Sequence, residues 1–489
     1  MIKHLKLATP LALAMTLAGC LSLAPDYERP AAPVAAAYPE TPKAATESGS
    51  PVLAAAPATV AWQSFFADAR LRSLIDAALA NNRDLRVAIA NIEQARAQYR
   101  ITRADRLPTV GLGISGNRQT TGEDEPINSV YQSGLSVSQF ELDLFGRVRN
   151  LSEASLAQYL ATEEARKATQ ISLISSVASA WLQLLADEEL LRITQDTLNT
   201  RLESDKLFQL RFENGVASRL EIQQSRSLVE TARATLAQQQ RLRAQDINLL
   251  TLLVGGPLPA DVSAGATLAK TELPDIPAGL PSDLLANRPD IRAAEQQLIA
   301  ANANIGAARA NFFPRITLTG SAGSASTELS GLFDSGTWGW TFAPQAILPI
   351  FDYGRNSATL GSARAGRDIA VAEYERSIQT AFREVADALA GQATFSEQLR
   401  AQAAVTEAEA DRFNLSDLRY RSGAASQLDL LDAQRSLFQS QQLSVQANLL
   451  RLQNQVVLYR VLGGGWTEPV DPATGAPATG AAGTPVAAR

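Results

Sequence analysis

The sequence predicts a mainly α-helical fold with a smaller β portion, written twice along one chain of 489 residues. The first observation is an internal repeat. Asn81, Asp84 and Arg86 recur as Asn287, Asp290 and Arg292, an offset of 206, and Pro108 and Phe145 recur as Pro314 and Phe351. Insertion of Asp352 and Tyr353 raises the offset to 208, which then holds from Gly146 and Gly354 through Val254-Gly-Gly and Leu462-Gly-Gly. The second observation is punctuation: 68 residues from Arg147 to Asn214 contain neither Gly nor Pro, and the matching span Arg355 to Ser422 contains no Pro. Such a run makes a helix of roughly 100 Å, far beyond an ordinary globular helix. The third is alternation of apolar with small or polar residues just before each long run.

Taken in order, the chain opens with Lys3, His4 and Lys6 ahead of the apolar run Leu7 to Ala18. That run is too short to span a bilayer and has the form of a signal peptide, assigned to residues 1–19. It ends Leu-Ala-Gly-Cys, where Cys20 is the only cysteine in the chain. That ending resembles the lipobox of bacterial lipoproteins, which implies lipid modification of Cys20, with plain secretion as the alternative; an unpaired thiol in an exported protein is otherwise a liability. A Pro/Ala-rich leader fills 20–60, extended or without regular structure. The first repeat covers 61–256, with a helix, a β-hairpin at 109–145 and a helical hairpin at 147–254. A Pro-rich connector at 257–288 leads to the second repeat, 289–465, whose β-hairpin is placed at 315–350 and helical hairpin at 355–462. A disordered tail, 466–489, closes the chain.

The helical hairpins turn on two copies of one motif, RFENGVAS at 211–218 and RYRSGAAS at 419–426. Gly215 and Gly423 sit where a helix C-cap needs a positive φ. Ser218 and Ser426 follow as N-caps with Glu221 and Asp429 three residues on, a capping box and its Asp variant. Only the second copy adds a further carboxylate, Asp432, where the first has Gln224. Helix capping explains Asp429 but not Asp432.

In the β portion, Val110, Leu112 and Ile114 alternate with Gly and Ser; Leu135 and Val137 do likewise until the phase slips at Gln139. Ile316 and Leu318, then Trp338, Trp340 and Phe342, repeat the pattern. Four strands of about ten residues are long enough to cross an outer membrane at a tilt, or to pack as a soluble sheet on the helices. In lipid an open edge is not tolerated, so several chains must pool their strands. Two would supply eight and three would supply twelve.

Composition removes much chemistry. The single histidine, His4, lies in the signal peptide, and the net charge is −6. A mature chain without imidazole or free thiol offers no zinc site of the usual kind and no Ser-His-Asp triad. No phosphate-binding glycine loop is present, and the charge gives no footprint for nucleic acid. No enzyme activity and no cofactor are expected beyond the covalent lipid.

The Phe-Gly-Arg step at 145–147, its partner Phe-Asp-Tyr-Gly-Arg at 351–355, the RYRSGAAS hinge and the closing Leu-Gly-Gly-Gly-Trp at 462–466 together resemble the TolC-like outer-membrane factors, in the lipoprotein-bearing, OprM-like efflux subgroup. The resemblance covers about Trp62 to Gly465. It implies a homotrimer with a twelve-stranded transmembrane β-barrel and a periplasmic α-helical barrel. It also implies partnership with a periplasmic adaptor and an inner-membrane pump, and a Gram-negative outer-membrane location. Leu21 in place of the inner-membrane retention Asp fits that location. By the same resemblance Leu428, Asp429 and Asp432 match a periplasmic gate. Tyr420 matches a tyrosine bonding between neighbouring hairpins, with Glu221 in its acidic partner region. Gly215, Ser218, Gly423 and Ser426 mark the hairpin tips where an adaptor would dock. The chain departs from the pattern at Ala425, where some members carry an Arg that forms an ionic latch. The expected function is an exit channel for small-molecule efflux. Type I protein secretion and a poreless, lipid-anchored coiled-coil scaffold are the alternatives.

Overall fold

A computed structural model describes residues 22–39, 60–120, 122, 127–276 and 281–466. The signal peptide, Cys20 and the tail beyond Trp466 lie outside the described residues. The elements in order are α1 (Trp62–Phe65), α2 (Ala69–Asn81), α3 (Arg83–Ala104), β1 (Val110–Gln119), β2 (Asn128–Leu142), α4 (Arg147–Glu213) and α5 (Arg219–Val254). A 3-10 turn at Leu268–Lys270 and α6 (Pro281–Asn287) occupy the connector. The second repeat follows as α7 (Pro289–Ala310), β3 (Arg315–Ser326), β4 (Trp338–Ile347), α8 (Arg355–Arg421) and α9 (Gln427–Val461). The long helices α4 and α8 are both 67 residues.

Two compact units divide the chain. The first comprises Met1–Ala32, Ala90–Glu164 and Asp290–Ser377, and holds all four strands. They form one antiparallel sheet in the order β1-β2-β3-β4, so the two hairpins are joined through β2 and β3. Register sets Leu112 opposite Leu135, Leu135 opposite Ala322 and Ala322 opposite Trp340. One face therefore collects Val110, Leu112, Ile114, Leu135, Trp338, Trp340 and Phe342, all exposed, Leu112 at 78% and Trp340 at 68%. The other face carries Gly, Ser and Thr, with Ser321 and Thr341 hydroxyls 2.7 Å apart. The slip at Gln139 is a β-bulge: the β2–β3 register shifts between Val137 and Phe140, and Gln139 has φ 53°. A line of four glycines, Gly113, Gly134, Gly323 and Gly339, crosses the sheet strand by strand.

The step from strand to helix in this unit differs between repeats through the two inserted residues. In the first, the Asp143 carboxylate accepts from the Arg149 amide at 2.7 Å. In the second, inserted Asp352 accepts from the amides of Gly354 and Asn356, each at 2.9 Å. Both carboxylates satisfy orphan donors at the start of a long helix. The described part of the leader is extended and tied down. Asn302 Nδ2 donates to Pro25 O at 2.7 Å and Arg309 to Leu23 O at 3.0 Å. Arg29 pairs with Glu295 at 2.7 Å, and the Tyr27 hydroxyl donates to the same carboxylate at 3.0 Å.

The second unit comprises Pro33–Ile89, Ala165–Pro289 and Ile378–Arg489. Its core includes Phe65 stacked on Tyr459 with centroids 4.1 Å apart, and fully buried Trp181. It contains both helical hairpin tips.

Candidate periplasmic gate at the helical hairpin tips

Each tip is built by the same local chemistry. Gly215 and Gly423 adopt φ of 74° and 76°, the left-handed conformation that side chains resist. The amides of Val216 and Ala424 then donate to Arg211 O and Arg419 O, both at 2.8 Å, closing the helix ends. Ser218 and Ser426 cap α5 and α9 through complete capping boxes with Glu221 and Asp429. Hydrogen bonds from the Ser426 hydroxyl and amide hold the Asp429 carboxyl below the usual carboxylate range. The Ser218 amide and hydroxyl do the same for Glu221.

The tips are fastened to one another within the chain. Arg211 of α4 donates to the Tyr420 hydroxyl of α8, and its guanidinium lies 5.3 Å from the centre of that ring. Phe208 packs edge-on against Tyr420 at 5.7 Å, in a cluster with Leu430 and Leu431. Burial is the main cause that pushes the Tyr420 hydroxyl pKa up. Gln427 Nε2 donates to Glu221 O at 2.9 Å, and Gln434 Nε2 to Ser204 Oγ at 3.1 Å. Within the chain Tyr420 bonds to the other hairpin through Arg211, where the resemblance pointed to the region of Glu221. The Glu221 carboxylate is spent on its cap, and its backbone carbonyl makes the cross-hairpin bond.

Leu428, 57% exposed, and exposed Asp429 stand on the face of α9 opposite buried Leu430, Leu431 and Gln434, with half-buried Asp432 one turn on. Asp432 has a partner that sequence reading missed. Arg412 of α8 donates to its carboxylate, and Arg435 lies 3.8 Å away. The structure thus groups Leu428, Asp429 and Asp432 on one outward face and sends Tyr420 to the opposite, packed side. Among the described residues no group of three or more His, Cys, Asp or Glu is arranged to hold a metal.

Farther from the tips, a second carboxyl pair was also missed. Asp246 of α5 lies beside buried Asp187 of α4, and burial followed by that neighbouring carboxylate pushes its pKa up to about 7. Beside the pair, Arg243 and Ser263 both engage Glu188, at 3.0 and 2.6 Å. The folded chain holds the Asp246 proton more tightly than an unfolded aspartate does. Stability therefore falls as pH rises from about 4 to about 7 and levels off above. Asp246→Asn should melt with wild type near pH 4 and above it at pH 8; parallel melting curves at all pH values would refute the pairing.

The chain matches the outer membrane efflux protein family over residues 74–256 and 280–464, one match per repeat. It is 49% identical over 468 residues to the probable efflux pump outer membrane protein TtgC of Pseudomonas putida, covering 94% of this chain and 96% of that one. It is 46% identical over 465 residues to the outer membrane protein OprJ of Pseudomonas aeruginosa, covering 94% of this chain and 95% of that one. The open-state crystal structure of the MtrE outer membrane channel of Neisseria gonorrhoeae superposes with a TM-score of 0.84 at 40% identity, covering 91% of this chain and 99% of that one.

Proposed function

The chain belongs to the outer membrane efflux protein family, and on that premise we propose that three copies form the exit duct of a tripartite efflux system. The observation that carries the reading is the sheet. Its apolar face is exposed, and among the described residues β1 and β4 each pair on one side only. Open edges and bare indole and aliphatic groups are costly in water, and edges are costlier still in lipid. Three copies pool twelve strands and close the edges, with Trp338, Trp340 and Phe342 toward lipid and the Gly, Ser and Thr face toward the lumen. Strands of ten residues tilted by about 40° cover roughly 25 Å, the height of an outer-membrane apolar band.

The lumen conducts small molecules passively, and an inner-membrane pump supplies the work. A periplasmic adaptor docks at the tips marked by Gly215, Ser218, Gly423 and Ser426. Leu428, Asp429 and Asp432 narrow the periplasmic end, and the Arg211–Tyr420 clasp, with Glu221, sets the spacing of the hairpins. Native mass spectrometry of detergent-purified protein should report a trimer; a monomer or dimer would remove the twelve-strand closure.

The lipid on Cys20 belongs to the same reading. Ser22, two residues on, donates to Asn150 Oδ1 at 2.8 Å within the unit that carries the sheet. Cys20→Ser should lose incorporation of radiolabelled palmitate while the trimer persists, since strand pairing does not involve the lipid. Wild-type protein that takes up no label would end the lipoprotein assignment.

A further inference from the structure

Within the first unit, α4 and α7 meet through Ala154 and Ala157 on one and Ala300 and Ala303 on the other, all buried. A Cβ added at Gly306 would come 2.5 Å from Asn150 Nδ2, which sets the next residue, Ala307, close to the level of Asn150. The internal repeat carries these positions to the outer helices. At the offset of 208, Ala154 and Ala157 correspond to Ser362 and Ala365 of α8. At the offset of 206, Ala300, Ala303 and Ala307 correspond to Gln94, Ala97 and Ile101 of α3. All five counterparts are exposed, Ile101 at 57%. The opposite sides of both outer helices are already occupied. Tyr99 of α3 stacks on Tyr159 of α4, and Asn356 of α8 donates to Asn311 O, just past α7, at 3.0 Å.

The two outer helices cannot meet within one chain, because α3 leads into β1, α8 leaves β4, and those strands are opposite edges of the sheet. Closing the edges between copies sets β4 of one beside β1 of the next, as β2 lies beside β3 within the chain. It therefore brings α8 to α3 as α4 comes to α7. The junction between sheet and helices shows the same correspondence. Phe145 stacks on Phe313 at 4.7 Å, while their counterparts, Phe351 and Leu107, are 77% and 71% exposed. Matched apolar groups bared on both edges are what a cut through a packed seam leaves.

We propose that α8 of one copy packs against α3 of the next in the register of α4 on α7, a surface for a second copy that rests on the three-copy ring proposed for this chain. In that register Ala97 lies level with Ser362. The helices run in opposite senses, so four residues along Ile101 meets Ala358. Seven residues the other way, Ala90 meets Ile369, which is 60% exposed. Each large side chain faces a small one, at the three- and four-residue spacing by which paired helices interdigitate. At the junction, Phe351 covers Leu107 of the next copy.

Cysteine cross-linking in the Cys20→Ser protein, which has no other thiol, tests this. Under mild oxidation, Ala97→Cys with Ser362→Cys in one chain should convert most of the protein to species of two and three chain masses on a denaturing gel. Reductant should return them to one. Leu107→Cys with Phe351→Cys should do the same at the junction, independently of the helix pair. Ala97→Cys with Ala372→Cys is the register control. The second position lies about 15 Å farther along α8, beyond the reach of a disulfide, and this protein should run as single chains. Native mass spectrometry of the same preparations separates the seam from the ring. A trimer in which neither of the first two pairs cross-links overturns the seam and leaves the ring standing. A trimer in which the control links as readily as the first pair overturns the register. Absence of a trimer in every preparation removes ring and seam together.

Discussion

Replacing Gly323 with valine is expected to remove the protein from the outer membrane. Gly323 lies opposite Gly134 in the middle of the sheet. A Cβ at Gly323 would sit 2.1 Å from Ser133 O, and one at Gly134 would sit 2.4 Å from Ala322 O. Both obstacles are backbone, so no side-chain rotation relieves them, and β2 and β3 must separate. Overpacking commonly costs about 1–3 kcal/mol where side chains can adjust; here the clash is with the ladder that joins the two repeats. Loss of the β2–β3 seam leaves two hairpins, neither stable alone. Membrane fractionation should show little or no Gly323→Val trimer. Gly339→Ala is the control: it is on the same glycine line, but its Cβ meets nothing within 4 Å. It should assemble normally. Normal assembly of Gly323→Val would contradict the strand register.

The second large effect is at the tips. Asp432→Ala and Leu428→Ala should each raise single-channel conductance severalfold, one by removing charge and the other by removing an apolar plug from a narrow axis. Because Asp432 is paired with Arg412, Arg412→Ala is the informative companion. If Asp432 acts only by fastening α9 to α8, Arg412→Ala reproduces the full effect. If its carboxylate lines the axis, Arg412→Ala leaves a freer charge in place and conductance rises less. Tyr420→Phe removes the acceptor for Arg211 and should widen the tip without disturbing the aromatic cluster. Asp429→Ala loses a helix cap as well, so its effect should be mixed. Gln224→Ala, the first-repeat counterpart of Asp432, should conduct as wild type. Equal currents for Asp432→Ala and wild type would return both aspartates to helix capping and a surface ion pair.

What was legible in the sequence was what local chemistry decides. Gly215 and Gly423 announce helix ends because of φ, and Ser218 and Ser426 announce helix starts because their partners are three residues away. The bulge at Gln139 was visible as a broken alternation, since a one-residue slip moves every later side chain to the other face. Contacts between distant segments were not legible. Nothing near Tyr420 in sequence names Arg211, 209 positions earlier. Nor does anything near Asp187 name Asp246, because the crossing of two long helices decides which turns meet. The leader read as featureless because part of its anchoring is made by backbone carbonyls to Asn302 and Arg309, which leave no mark in a sequence, and its side-chain bonds from Arg29 and Tyr27 reach Glu295, far along the chain. The same applies to the gate. Sequence placed Leu428, Asp429 and Asp432 on one helix start, while the Arg412 partner came only with the packing of α8 on α9.

The central claim is that this chain makes a pore, and single-channel recording of the purified wild-type assembly in planar bilayers tests it most directly. Discrete, low-conductance openings are predicted, and larger openings should follow in the Asp432→Ala assembly under identical salt and voltage. A membrane-inserted trimer that passes no current in either form would contradict the account and leave a lipid-anchored scaffold in its place.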